Sequence, residues 1–149
     1  MASVYELAAN FKKKYPLTVG WRIKKNARII EKHLNPGETV SYAFVAQKNE
    51  NSYNIIGSAV IALTNERILI GRDRVVVGYF LDSITPDLFN DLKVSSGILW
   101  GKIYIDTVKE FVTLSNISKS ALSEIETKIS SFMINEKKKY GCSHTERHG

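Results

Sequence analysis

The sequence predicts an α+β, mostly β domain: a seven-stranded antiparallel barrel capped by a C-terminal helix and preceded by a helical extension. Three observations carry this. Helical periodicity governs the first 34 residues and stops at Asn35-Pro36-Gly37-Glu38. Beyond that point short apolar runs recur about every ten residues between turn-forming clusters, the pattern of an antiparallel meander. From Ser118 onward a single apolar helical stripe returns.

Composition agrees with one compact domain. The chain has 149 residues, 44% hydrophobic, and at this size a fold buries roughly 70% of its unfolded surface without staples. Charged residues at 24% and aromatics at 10% exclude a disordered or fibrous chain. No apolar run approaches the ~20 residues of a membrane span. One cysteine excludes an internal disulfide. The start, MASVYELAANFKKK, lacks the apolar core and cleavage site of a secretory signal. A cytoplasmic location is expected, with peripheral membrane attachment left open.

Val4, Leu7, Ala8 and Phe11 follow the i, i+3, i+4, i+7 rule, and Ser3 with Glu6 forms a capping box. A helix is expected over about residues 4–14, before Pro16. Ile23, Ala27, Ile30 and Leu34 make a second stripe, with Arg22, Lys24, Lys25, Arg28 and Lys32 mostly off it. This reads as a basic amphipathic helix over about 21–34.

Strands are expected at Thr39–Gln47, Ile55–Leu63, Arg67–Gly71 and Arg74–Leu81, with Lys48–Asn54 as a polar loop. Residues 82–96 are weaker; Leu88, Leu92 and Val94 fit a strand or a helical turn. Gly97–Asp106 and Glu110–Leu114 pair across a Thr107-Val108-Lys109 turn. Ala121, Leu122, Ile125, Ile129, Phe132 and Met133 then form the closing helical stripe, which Ser118 or Ser120 caps and Gly141 ends. The organisation is a basic helical extension at 1–35, a barrel at 36–140 and a flexible tail at 141–149.

The wording of several segments resembles the bacterial pleckstrin-homology-like (PH-like) domains of the YokE-like family. The matching pieces are Leu34-Asn35-Pro36-Gly37-Glu38, GSAVIALTNER (57–67), Tyr79–Ile84, GILWGKIYIDT (97–107) and the closing helix from Ser118. The resemblance covers about 34–140. It implies a PH-like fold and a non-catalytic binding or scaffold module, with Gly57, Thr64, Asn65, Arg67 and Gly97 as structural motif residues. Thr64 and Asn65 are expected to bond turn backbone, Gly57 to mark a bulge or bend, and Arg67 to pin the turn or pair with an acid.

The formal net charge is +6, and residues 1–34 hold all of it, with eight bases against Glu6 and Glu31. Lys12, Lys13, Lys14, Trp21, Arg22, Lys24, Lys25, Arg28 and Lys32 are the candidate contacts to an anionic surface. The plainer reading packs the apolar stripe on the barrel and leaves the bases as a solvated face, which the stripe's narrowness favours. A protein partner or self-association through the barrel is expected. A nucleic-acid-associated role for the same segment is the alternative, weakened by the lack of an aromatic strand platform. The loop 47–54 has one base and one acid, too little for a multiply charged head group.

No catalytic constellation is expected. Asp82, Asp87 and Asp91 have no spaced partner, and no nucleophile elbow or phosphate-cradling glycine loop occurs. Cys142, His144 and His148 are three ligands where a structural zinc takes four. No metal, cofactor or small-molecule substrate is expected.

Overall fold

The computed structural model describes residues 3–49, 56–73 and 78–148, with side chains from 136 onward, and those of Asn49 and Ile56, outside the description. Helix α1 spans Val4–Lys14. The Ser3 side chain accepts the Glu6 N–H at 3.1 Å, and three lysines in the last turn complement the helix dipole. Val4, Ala8 and Phe11 form its buried stripe. Helix α2 spans Ile23–Lys32 and buries Asn26, Ala27, Ile29 and Ile30.

The strands are β1 (Val40–Asn49), β2 (Ile56–Thr64), β3 (Ile68–Asp73), β4 (Tyr79–Ile84), β5 (Phe89–Ser96), β6 (Trp100–Thr107) and β7 (Phe111–Ser118). They form one antiparallel sheet in the order β4-β3-β2-β1-β7-β6-β5. Two meanders therefore join where β7 returns beside β1. Register shifts at Val40/Tyr42, Phe89/Asp91 and Gly101/Ile103 bend the strands. The curl stops short of closure, because β4 and β5 remain edges, and the result is a half-barrel. A one-turn 3-10 helix, Lys119–Ala121, leads into helix α3 (Leu122–His148). Leu122, Ile125, Ile129 and Met133 are buried, and α3 packs on β5 and β6.

Both faces of β1–β3 are covered. By register, Val45, Val60 and Gly71 share one face. A Cβ at Gly71 would lie 2.8 Å from Ile30 Cγ1 and 2.9 Å from the Asn26 carbonyl oxygen, so α2 rests directly on this face. Phe44, Ile61 and Ile70 share the other, also buried. Residues of α1 and α2 belong to the same hydrophobic cluster as the sheet and α3. The N-terminal segment is thus a layer of the fold.

Several elements differ from the sequence reading. The ambiguous stretch resolves into the end of β4, a turn around Pro86 and β5, where Phe89, Leu92 and Val94 turn inward between exposed neighbours. Strand β4 starts at Tyr79; the expected start at Arg74 falls at 74–77, outside the described residues. Helix α3 runs on through Gly141, which therefore does not end it; a lone glycine costs a helix only about 1 kcal/mol. The Ser118 side chain makes no cap bond and instead meets the Ser120 hydroxyl at 2.9 Å. Gly57 pairs in register with Lys48 without a bulge. Its missing side chain leaves room for that of Arg72.

Candidate anionic-surface site on the N-terminal helices

The most distinctive sequence motifs meet at one structural knot. Glu38, with a side chain 0% exposed, takes Arg67 Nε on one carboxylate oxygen and Nη2 on the other, each at 2.9 Å. The Thr64 hydroxyl donates to Glu38 at 2.6 Å and accepts the Glu66 and Arg67 N–H groups, each at 3.0 Å. Arg67 also donates to the His33 carbonyl at 3.1 Å and to Ser83 Oγ at 3.2 Å. Asn65 bonds Thr39 in both directions: its Oδ1 accepts the Thr39 N–H at 2.9 Å, and its own N–H donates to the Thr39 carbonyl at 3.0 Å. Gly37 makes the intervening turn at φ +81°, a conformation that favours glycine. Burial alone would raise the Glu38 pKa, but bonds from Arg67, Asn35 and Thr64 and the Arg67 charge hold it at about 2. These polar groups join the β2–β3 hairpin to the end of α2, the start of β1 and the end of β4. Gly97 opens the β5–β6 turn, where its N–H meets the Trp100 carbonyl at 2.9 Å.

The basic segment divides into used and unused cations. Lys12 donates to the Pro16 carbonyl at 2.8 Å and to that of Thr18. Lys14 pairs with Glu124 at 2.6 Å. Glu124 also accepts the Tyr42 hydroxyl at 2.7 Å. Burial alone would raise the Glu124 pKa, but the Lys14, Tyr42 and Tyr15 bonds lower it. Burial and the Glu124 bond together push the Tyr42 phenol up. Arg22 pairs with Asp73 at 2.7 Å while holding a left-handed backbone, φ +57°. By contrast Lys13, Lys25, Arg28 and Lys32 are exposed with no acidic partner among the described residues, and Lys24 stands over the Tyr5 ring at 5.8 Å.

Helix α2 arranges its cations on one side. Lys24, Arg28 and Lys32 are spaced i, i+4, i+8, a stripe about 12 Å long, and Lys25 lies beside it. The apolar stripe faces the sheet, so this side is the solvent face. Its single acid, Glu31, is drawn away to accept the Tyr5 N–H at the start of α1, 3.1 Å distant. Between α1 and the first turn of α2 runs an open groove of about 590 Å³, lined by Tyr5, Ala9, Lys12, Trp21, Arg22, Ile23, Lys24 and Lys25. Trp21 is 48% exposed. No acid lines this groove.

This arrangement works against helix stability. Like charges at i, i+4 cost a few tenths of a kcal/mol per pair. The first turn of α2 has no acid and no side-chain cap, so Lys24 and Lys25 oppose the helix dipole. An anionic surface would offset both terms.

Other candidates do not assemble. Asp82 pairs with Lys48, Asp87 lies exposed in the turn before β5, and Asp91 accepts the Leu92 N–H at 2.8 Å. They form no carboxylate pair. Of the expected loop 47–54, the first three residues belong to β1, where Gln47 is tied to Ser115 and Asn116, and residues 50–54 lie outside the described residues. So do the side chains of Cys142, His144 and His148. Among the described residues no cluster has metal-ligand composition, and no helix is long and apolar enough to cross a membrane.

The sequence reading missed Asn26 and Tyr5. Asn26, 1% exposed, donates to the Ser58 carbonyl at 3.0 Å and accepts the Asp73 N–H at 2.7 Å, bridging β2 and β3. Its signal was a lone amide on the apolar side of α2. Tyr5 forms a groove wall, and only the packing of α1 against α2 reveals it.

Residues 34–131 match the family model of the bacterial PH domain. Among solved structures, the chain is similar to the C-terminal domain of an unknown protein from Leishmania infantum. The identity is 18%, 70% of this chain and 91% of that chain are covered, and the TM-score is 0.48. No curated protein matches the chain.

Proposed function

Because this chain belongs to the bacterial PH domain family, whose members are generally non-catalytic binding modules, we propose that it is a binding domain that docks on anionic membrane surfaces through α2. The observation that carries this is the solvent face of α2. It presents Lys24, Lys25, Arg28 and Lys32, with its one acid, Glu31, drawn off to the Tyr5 N–H, in an arrangement that costs the helix stability. Departures from local rules without a structural return are expected at functional sites. Half-exposed Trp21 beside these cations favours a head-group layer over a polyphosphate, because indole suits the boundary between polar and apolar phases.

Each cation near an anionic bilayer contributes about 1 kcal/mol, so four give about 4 kcal/mol, which corresponds to about millimolar binding. Charge alone therefore gives weak, salt-sensitive attachment.

Flotation of the full chain with vesicles tests the reading. Phosphatidylglycerol/phosphatidylcholine vesicles are expected to carry the protein upward at low salt, and pure phosphatidylcholine vesicles to leave it behind. Retention on DNA or RNA with no flotation on either vesicle would replace the lipid reading with a nucleic-acid one.

A further inference from the structure

The β5–β6 hairpin has an unusual tip. The Gly97 N–H bonds the Trp100 carbonyl at 2.9 Å, so Ile98 and Leu99 occupy the two central turn positions. Those positions ordinarily take Asn, Asp or Gly. Here Ile98 is 91% exposed, Leu99 48% and Trp100 40%. Two large aliphatic groups at the point of a turn contribute nothing to the core.

The tip does not stand alone. The Trp100 indole N–H donates to the Leu17 carbonyl at 2.6 Å, and Leu17 is 51% exposed. The Lys12 ammonium bonds the carbonyls of Pro16 and Thr18, on either side of Leu17. Lys12 also lines the groove that contains Trp21. A continuous path thus runs from the hairpin tip, through Leu17 and Lys12, to the cationic start of α2. On the other side Lys119, exposed, donates its backbone N–H to the Leu99 carbonyl at 3.0 Å.

We propose that Ile98, Leu99, Trp100 and Leu17 form a wedge that enters the acyl layer of an anionic bilayer while the cations of α2 hold the head groups. This rests on the membrane reading of α2 and adds the apolar contribution that charge alone lacks. The indole N–H is already satisfied by Leu17, so moving Trp100 into hydrocarbon strands no donor. The occupant follows from charge and shape. A projecting apolar tip beside unneutralised cations complements an anionic surface with an apolar phase beneath it. A second copy would bring the same positive charge against itself.

The chain has two tryptophans, which makes the test direct. In a Trp21→Phe protein, Trp100 is the sole indole. With phosphatidylglycerol vesicles carrying bromine on the acyl chains, its fluorescence is expected to be quenched and shifted to the blue. Adding Ile98→Asp should weaken vesicle partitioning about tenfold or more, with an unchanged unfolding midpoint because the side chain contacts solvent. Flotation at low salt with no quenching, or with no effect of Ile98→Asp, would overturn the wedge and leave the α2 reading standing. Absence of flotation by the wild-type protein at any salt would overturn both.

Discussion

Arg67 and Glu38 lie fork to fork, with Nε and Nη2 each 2.9 Å from a different carboxylate oxygen. They are 29 residues apart and join the turn after β2 to the segment that enters β1. The Glu38 side chain is wholly buried, so the pair is not a surface ion pair of little value. Removing one partner of a buried pair strands a charge.

Arg67→Met is therefore expected to destabilise the protein by about 3–5 kcal/mol. Urea denaturation at neutral pH measures it. A loss of under about 1 kcal/mol, the range for exposed pairs, would mean that solvent already screens the pair. Arg67→Met with Glu38→Leu should recover part of the loss, because no charge is then left unpaired.

The same carboxylate sets a pH dependence. Its pKa is lowered from 4.5 to about 2 by folding. A depressed pKa means that stability is fully present above about 4.5 and is lost as pH falls toward about 2. The contribution is on the order of 3 kcal/mol. Across that window the wild type is expected to lose more stability than Glu38→Gln, measured by urea midpoints at matched pH. Parallel curves for the two proteins would contradict the assignment.

Asn26 docks α2 by bonding two strands with one amide. Asn26→Leu keeps the branched shape and leaves the Ser58 carbonyl and the Asp73 N–H without that partner. A loss of about 2–3 kcal/mol is expected, from the cost of unsatisfied buried groups. Thermal or urea unfolding checks it, and a neutral result would show that water replaces the amide.

Deleting residues 1–34 should not yield a free-standing half-barrel. Helix α2 covers the face that carries Val45, Val60 and Gly71, and Phe11 packs with rings 6.0 Å from Phe44 and 6.4 Å from Tyr42. The fragment is expected to bind a hydrophobic dye and to lose its cooperative transition. A sharp transition at the full-length midpoint would show the helices to be accessory.

The order of elements was legible because each periodicity reports which face is buried. The Val4-Ala8-Phe11 and Ala27-Ile30 stripes, the turn at Asn35–Glu38 and the Ile125-Ile129-Met133 stripe all reflect one-sided burial. Strand β5 was obscured because it is an edge strand with only Phe89, Leu92 and Val94 turned inward. The open edges of the half-barrel are also invisible in a linear pattern, since they depend on β7 pairing with β1. At the candidate site, the excess charge was plain in the sequence. Which cations remain unpaired was not, because Glu124 and Asp73 come from distant elements to neutralise Lys14 and Arg22. The Ile98-Leu99 tip reads as the start of a strand until the turn geometry is known.

The central claim is that the solvent face of α2 serves an anionic surface at the expense of stability. A full-length Lys24→Gln/Arg28→Gln/Lys32→Gln protein, floated with phosphatidylglycerol/phosphatidylcholine vesicles and melted in parallel, tests it most directly. The account predicts lost flotation with a thermal midpoint equal to or above wild type, since repulsion along the helix and with its dipole is relieved. Undiminished flotation by the stably folded variant would contradict it.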